Sequence, residues 1–189
     1  MITNSEDIDQ KHWLRFKKGD KEAFSTLYTR YFPIVFEYGI KISGSRQLVK
    51  DCIQDLFIGL WRSRENLAEV NSVKAYLLRS IRRRLLSEMS KNLKLIGEDA
   101  LSERYHFEVV LSPENDLIDL QLESEQSKEL TEAINKLTPR QKEAIYLKFY
   151  EGVSYQDLSN ILAINLKATY KLIGRAIEVL RSEVARITY

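Results

Sequence analysis

The run SYQDLSNILAINLKATYKLIGRAIEVLR, residues 154–181, decides the fold. Ser154 followed by Asp157 is a capping pattern that opens a short helix ending at Leu162. Ala163, Ile164 and Asn165 form a tight turn, and a last helix runs from Leu166 to about Val184. A short helix, a turn of this length and a longer helix have the spacing of a helix-turn-helix, in which the second helix is the recognition helix. Projected at about 100° per residue, the last helix gathers Leu166, Thr169, Ile173, Ile177, Leu180 and Val184 in one arc, the expected buried stripe. Lys167, Lys171, Gly174, Arg175 and Glu178 fall opposite, with Ala168 beside them and Tyr170 at the boundary. This face offers two lysines and an arginine where a recognition helix meets base edges and phosphates. An ordinary amphipathic helix with a solvated basic face fits the same pattern.

Upstream, helical periodicity continues and no stretch sustains a period of two, so the fold is expected to be all-α. Thr138, Pro139 and Gln141 repeat the capping signal, and Gly152 stops the helix they open. Ser112 and Pro113 start a further helix that runs to about Lys136. Residues 91–112 show no period and read as a linker, with YHFEVVL as a short extended piece. In the N-terminal half, Asp20 caps a helix through Ala23, Phe24, Leu27 and Tyr31, which Pro33 is expected to kink or interrupt before Ile34–Ile42. Ser43, Gly44 and Ser45 form a turn. Arg46 to about Arg64 is a second helix, Glu65–Asn71 a polar loop, and Val73 to about Met89 a third helix. The expected architecture is two small helical domains, 10–90 and 113–187, joined by an acidic linker.

The 189-residue length allows one medium domain or two small ones. No apolar run approaches the 18 or more residues of a membrane span, and the N-terminal MITNSEDIDQ does not read as a signal peptide. The single cysteine, Cys52, has no disulfide partner, which fits a reducing cytoplasm. The net charge of +2 hides a division along the chain. Residues 1–90 hold 16 Lys and Arg against 11 Asp and Glu, net +5; residues 98–125 hold nine acids against Arg104, net −8; residues 126–189 hold ten basic residues against seven acids, net +3. Two basic blocks around an acidic stretch suit two modules sharing a polyanionic partner, and they also suit unrelated solvated faces. There is no phosphate loop, dinucleotide fingerprint or HExxH, and His12 and His106 are the only histidines. The sequence therefore predicts no catalytic residues, no cofactor, no metal site and no small-molecule substrate.

Two further constellations stand out. Between residues 73 and 91 there are six basic residues, Lys74, Arg79, Arg82, Arg83, Arg84 and Lys91, against Glu88 alone. Leu78, Ile81, Leu85 and Met89 are expected to face inward, with Tyr76, Arg79, Arg83 and Arg84 outward. An aromatic ring among arginines suits single-stranded nucleic acid, because bases stack on rings while guanidinium groups hold phosphates. The second constellation is DCIQDLFIGLW, residues 51–61, where Ile53, Leu56 and Leu60 supply a core stripe and Asp51, Gln54, Asp55, Phe57 and Trp61 a second face. That second face fits a protein-docking surface with aromatic anchors and a polar rim, or else Phe57 and Trp61 are core.

Taken in order, GDKEAFSTLYTRYFPIVF (19–36), DCIQDLFIGLW (51–61), VKAYLLRSIRRRLL (73–86) and EGVSYQDLSNILAINLKATYKLIGRAIEVLR (151–181) resemble the extracytoplasmic-function (ECF) class of bacterial sigma factors, with a polar turn variant like that common in Bacteroidetes. The resemblance implies a non-enzymatic, cytoplasmic protein that binds core RNA polymerase, at its clamp and flap, and gives it promoter specificity. It makes Asp51, Gln54, Asp55, Phe57, Leu60 and Trp61 candidates for polymerase contact. Lys74, Tyr76, Arg79, Arg82, Arg83 and Arg84 become candidates for melting and reading the −10 element, with the Arg64–Ser72 loop capturing a flipped-out base. Extruding a base costs a few kcal/mol, which contacts in the capturing loop must offset. Lys167, Ala168, Tyr170, Lys171, Gly174 and Arg175 become candidates for reading the −35 duplex. The resemblance implies that the acidic linker threads toward the RNA exit path, and that an anti-sigma factor of membrane-bound type holds the protein inactive.

Three positions depart from the family pattern. Ala163 stands where glycine is usual, so the turn is expected to form without left-handed backbone there. Leu172 replaces a frequent arginine. Gly174, which costs about 1 kcal/mol against alanine in mid-helix, suggests close approach of backbone to DNA. Two other readings remain at this point: a dimeric helix-turn-helix regulator with residues 1–90 as a sensing domain, and an all-α adaptor that binds only protein.

Overall fold

The computed structural model describes residues 5–94, 106–108 and 131–187, and every regular element among them is helical. The chain divides into two compact units between His106 and Phe107.

The first unit contains α1 (Ser5–Lys17), α2 (Lys21–Ser43), α3 (Arg46–Ser63), a 3-10 turn (Arg64–Asn66) and α4 (Val73–Lys94). Asp20 caps α2 as expected, its Oδ1 accepting from the backbone N–H of Glu22 at 2.9 Å and of Ala23 at 3.0 Å. That bonding holds the Asp20 carboxyl below its ordinary pKa, the bond from Ala23 contributing most, with Arg15 adding to it. Gly44, at φ +65°, closes α2 in left-handed backbone, and Ser45 caps α3 by accepting from the Leu48 N–H. The expected break at Pro33 does not occur: α2 is one helix of 23 residues. Proline removes a single backbone bond, and Tyr31, Val35 and Tyr38 on either side of it are buried, so tertiary packing holds both halves in one helix.

Helix α2 is the centre of this unit, packed against α1, α3 and α4. Val35, Tyr38, Val49, Ile53, Leu78, Ile81 and Leu85 form its core. Gly39 permits a close crossing, since a Cβ there would lie 2.7 Å from Val49 Cγ1 and 3.3 Å from Leu85 Cδ1. Helix α1 is tied down by Asp9, which is buried: the Tyr31 hydroxyl donates to Asp9 Oδ2 at 2.6 Å, and Arg30 Nη1 lies 3.0 Å from Oδ1. Cys52 is buried as well, and desolvation pushes its thiol pKa up.

The second unit contains residues 131–135, which are helical, then α5 (Pro139–Ile145), a π-helical turn (Tyr146–Tyr150), α6 (Tyr155–Leu162) and α7 (Leu166–Ile187). Thr138 and Gln141 form the expected capping box, and Gly152 at φ +68° ends the π turn. Phe107 is buried in this unit, its ring 5.6 Å from that of Tyr146. Residues 106–108 carry no regular structure. The rest of the expected linker beyond Lys94 and the start of the helix expected at Ser112 lie outside the described residues.

The turn between α6 and α7 corrects one expectation. Ala163 adopts φ 53° and ψ 47°, the left-handed conformation that glycine would take, and its N–H bonds back to the Ser159 carbonyl. The geometry of the turn demands that backbone whatever residue occupies it, so alanine bears a cost of about 1 kcal/mol there. Asn165 then caps α7, its Oδ1 accepting from Ala168 N–H at 2.7 Å. No helix among the described residues is long and apolar enough to cross a membrane.

Candidate nucleic-acid and protein interfaces

Three surfaces collect the residues singled out in the sequence. On α3, Asp51, Gln54 and Asp55 are exposed, with Gln47 donating to Asp51 at 2.9 Å. Phe57 and Leu60 are 4% and 5% exposed and belong to the core rather than to an open face; Trp61 is half-buried. The α3 register explains this, since Ile53, Leu56, Phe57 and Leu60 fall on the side that α2 and α4 cover. Phe57 is still reached from outside through an apolar groove of about 520 Å³ shared with Phe24, Tyr28, Gln54, Ile58 and Trp61. Its rings form one cluster: Phe57 lies 4.9 Å from Tyr28 and 5.9 Å from Phe24, and Phe24 lies 5.1 Å from Trp61. Arg64 stacks over Trp61 at 4.9 Å and donates to its carbonyl, fixing the indole at one end of the groove. Phe24, Tyr28 and Ile58 were not among the sequence candidates. The signal for two of them was the ladder Phe24, Tyr28, Phe32, Phe36, at four-residue spacing along α2.

On α4, Arg79 and Arg83 are exposed, and Lys74, Arg82 and Arg84 are half-buried. Tyr76 departs from the expected open face: it is half-buried, with its ring edge-on to Trp13 at 5.2 Å. It cannot offer both faces for stacking. Met89 is half-buried rather than core, while Leu78, Ile81 and Leu85 are fully inward. Arg83, Arg84 and Lys91 border a polar groove of about 470 Å³ with Ser63 and Ser80, and Glu88 pairs with Lys91 at 2.8 Å. The α4 surface therefore remains net basic.

On α7, Lys167, Tyr170, Lys171 and Arg175 are exposed along one side, and Ala168 and Gly174 are half-buried beside them. Nothing lies within 4 Å of a Cβ added at Gly174, so no packing within the described residues requires that glycine. Thr169 and Ile173 are buried as expected, but Leu166 is 38% exposed and Ala176, at 0%, closes the seam instead. Leu166 begins the helix just after the turn, before the stripe comes under the cover of α5 and α6. Ile177 and Leu180 are half-buried, and the side chain of Val184 is outside the described residues. Tyr170 stacks on Tyr155 of α6 at 4.3 Å, and Lys148 sits 4.6 Å above Tyr155, so the aromatic group on this face is held in place.

A helical unit carrying a basic helix and an aromatic groove, followed by a helix-turn-helix unit with a basic face, has the make-up of a two-part DNA-reading transcription protein. Residues 27–94 match the family model of sigma-70 region 2, and residues 127–180 match that of sigma-70 region 4; the two spans make up more than half of the chain. The ECF RNA polymerase sigma-E factor of Haemophilus influenzae is 29% identical over 198 residues, covering 93% of this chain and 95% of that one. The ECF sigma factor SigK of Mycobacterium tuberculosis is 24% identical over 172 residues, covering 86% of each. Two solved structures share the fold. CnrH, determined with the cytosolic domain of CnrY, has a TM-score of 0.60 at 19% identity and covers 95% of this chain and 99% of its own. The sigma factor RpoE of Bartonella quintana, determined with the anti-sigma factor NepR, has a TM-score of 0.60 at 22% identity and covers 86% and 96%. The chain belongs to the ECF family of RNA polymerase sigma factors. It is a promoter-specific transcription initiation factor, and sigma factors are the non-catalytic DNA-recognition subunits of the polymerase.

Proposed function

We propose that the two units divide promoter recognition between them: the first, about residues 10–90, docks on core polymerase and opens the −10 element, and the second, about 113–187, reads the −35 duplex. The observation that carries this reading is the pair of net basic helices, α4 and α7, one in each matched sigma region. In the first unit, the apolar groove with Phe24, Tyr28, Phe57, Ile58 and Trp61, bordered by Gln54, Lys21 and Arg62, supplies the polymerase contact, with Asp51 and Asp55 exposed on the same helix and Leu60 buried in the core. Arg79 and Arg83 hold phosphates of the opened strand, with Lys74, Arg82 and Arg84 adding positive field. In the second, Lys167, Lys171 and Arg175 meet phosphates and base edges, Tyr170 supplies an apolar contact, and Ala168 and Gly174 let the backbone come close. The protein acts in the cytoplasm without chemistry of its own, an anti-sigma factor keeps it idle, and it is a factor of the Bacteroidetes type, a reading supported by the resemblance of its turn. The relatives support the regulatory reading, since one of the similar folds, the sigma factor RpoE of Bartonella quintana, was determined with an anti-sigma factor.

The test is transcription reconstituted from sigma-free core polymerase and a genomic promoter library. Run-off products sharing a two-part upstream motif support the reading. Arg79→Glu with Arg83→Glu is expected to abolish opening while leaving core binding intact, and Lys171→Glu with Arg175→Glu to abolish −35 preference. Unchanged transcription by the second pair points to a protein-only adaptor instead.

A further inference from the structure

Helix α1 ends at Lys17, ten residues before the matched sigma-70 region 2 begins at residue 27, so it lies outside that matched span. Its contacts suggest a task for it. The indole N–H of Trp13 donates to the Ala68 carbonyl at 3.3 Å, and the Gln10 side chain donates to the Asn71 carbonyl at 2.8 Å, across 55 and 61 residues of sequence. Both acceptors lie in the loop between the 3-10 turn and α4, the loop placed above at the flipped-base position. Trp13 is 2% exposed, and its ring meets Tyr76, in the first turn of α4, edge-on at 5.2 Å. One side chain thus touches both the loop and the helix that follows it. Helix α1 is itself fixed by the buried Asp9, so these anchors are attached to a rigid support. Within the loop, Leu67 bonds back to Arg64, and Ser72 accepts from Ala75 N–H. Ala68 and Asn71 hold the segment between those ends, with Glu69 and Val70 lying between them.

We infer that α1, through Gln10 and Trp13, is the positioning element of the promoter-reading loop, setting its backbone before DNA arrives. This rests on the reading of α4 and its preceding loop as the −10 apparatus. The physical argument is one of preorganisation. An extruded base is captured at a net gain only if the receiving loop does not have to be ordered in the same step, because ordering competes with the few kcal/mol already spent on unstacking. Two hydrogen bonds from a packed helix supply that order in the free protein.

The test uses full-length protein with core polymerase and compares Gln10→Ala and Trp13→Phe with the parent chain. Trp13→Phe keeps an aromatic ring in the packed site but removes both the donor and part of the indole's volume, so it is read beside Gln10→Ala, which removes the second donor at a half-buried position. Three quantities are read: core binding, open-complex formation by permanganate reactivity of −10 thymines, and base preference in a library randomised across the −10 element. Both variants are expected to keep core binding and −35 preference, to lower opening about three- to tenfold, and to flatten preference at the captured base. Unchanged opening and base preference in both variants overturns the inference. So does equal loss at every promoter together with lost core binding, which marks α1 as a support for the whole unit. Arg79→Glu with Arg83→Glu runs in parallel: if that pair opens promoters normally, the −10 reading itself has failed, an outcome separate from failure of the α1 variants alone.

Discussion

Gly39 and Ala163 are opposite cases of one steric rule. At Gly39 the backbone is ordinary helix, and the lack of a Cβ lets α2 approach the stiff Val49 side chain; Ala163 is exposed, but its backbone is left-handed. Gly39→Ala is therefore expected to destabilise the first unit by about 1–3 kcal/mol through overpacking. Ala163→Gly is expected to stabilise the second by about 0.5–1 kcal/mol through relief of backbone strain. Urea unfolding of each variant beside the parent chain checks both signs. Cys52 is a third case at this scale. Burial that raises the thiol pKa also leaves little thiolate at neutral pH, so alkylation by iodoacetamide is expected only after denaturant is added. Rapid labelling of the native protein would contradict that.

The helices are set by their ends as much as by their faces. The Asp20 carboxylate caps α2, and because its pKa is depressed in the folded state it contributes stability that is present above its unfolded pKa. That contribution is lost as pH falls through the lower, folded value. Asp20→Asn keeps a good cap without a titrating group. The variant is expected to match the parent in thermal midpoint near neutral pH and to lose less stability than the parent on acidification; parallel acid titrations would refute the assignment. Capping signals of this kind were fully legible in the sequence at Asp20, Thr138 and Ser154, because a cap is a contact between near neighbours in the chain. The effect of Pro33 was not legible. Whether a proline breaks a helix depends on what holds the two sides, and here that is the packing of Tyr31, Val35 and Tyr38.

For the whole molecule, the proposed function has two modest basic faces act on one DNA, with the connecting stretch setting their effective concentration. Inserting a Gly-Ser segment at residues 110–111 that doubles the connection is expected to lower promoter output only about threefold, the entropic cost of a longer loop. A much larger loss in the reconstituted assay would assign the stretch a contact of its own. The sequence by itself determined the all-helical class, the capped starts, the helix-turn-helix and the basic character of α4 and α7, because each is written in local spacing and charge. The tertiary structure alone decided that Phe57 and Leu60 are core, that Tyr76 leans on Trp13, that Phe24 and Tyr28 share a groove with Trp61, and that α1 reaches the loop at Ala68 and Asn71. These are contacts between residues far apart in the chain. Helical periodicity tells which side of a helix is buried but not which neighbour covers it, and that choice is made only when the helices pack.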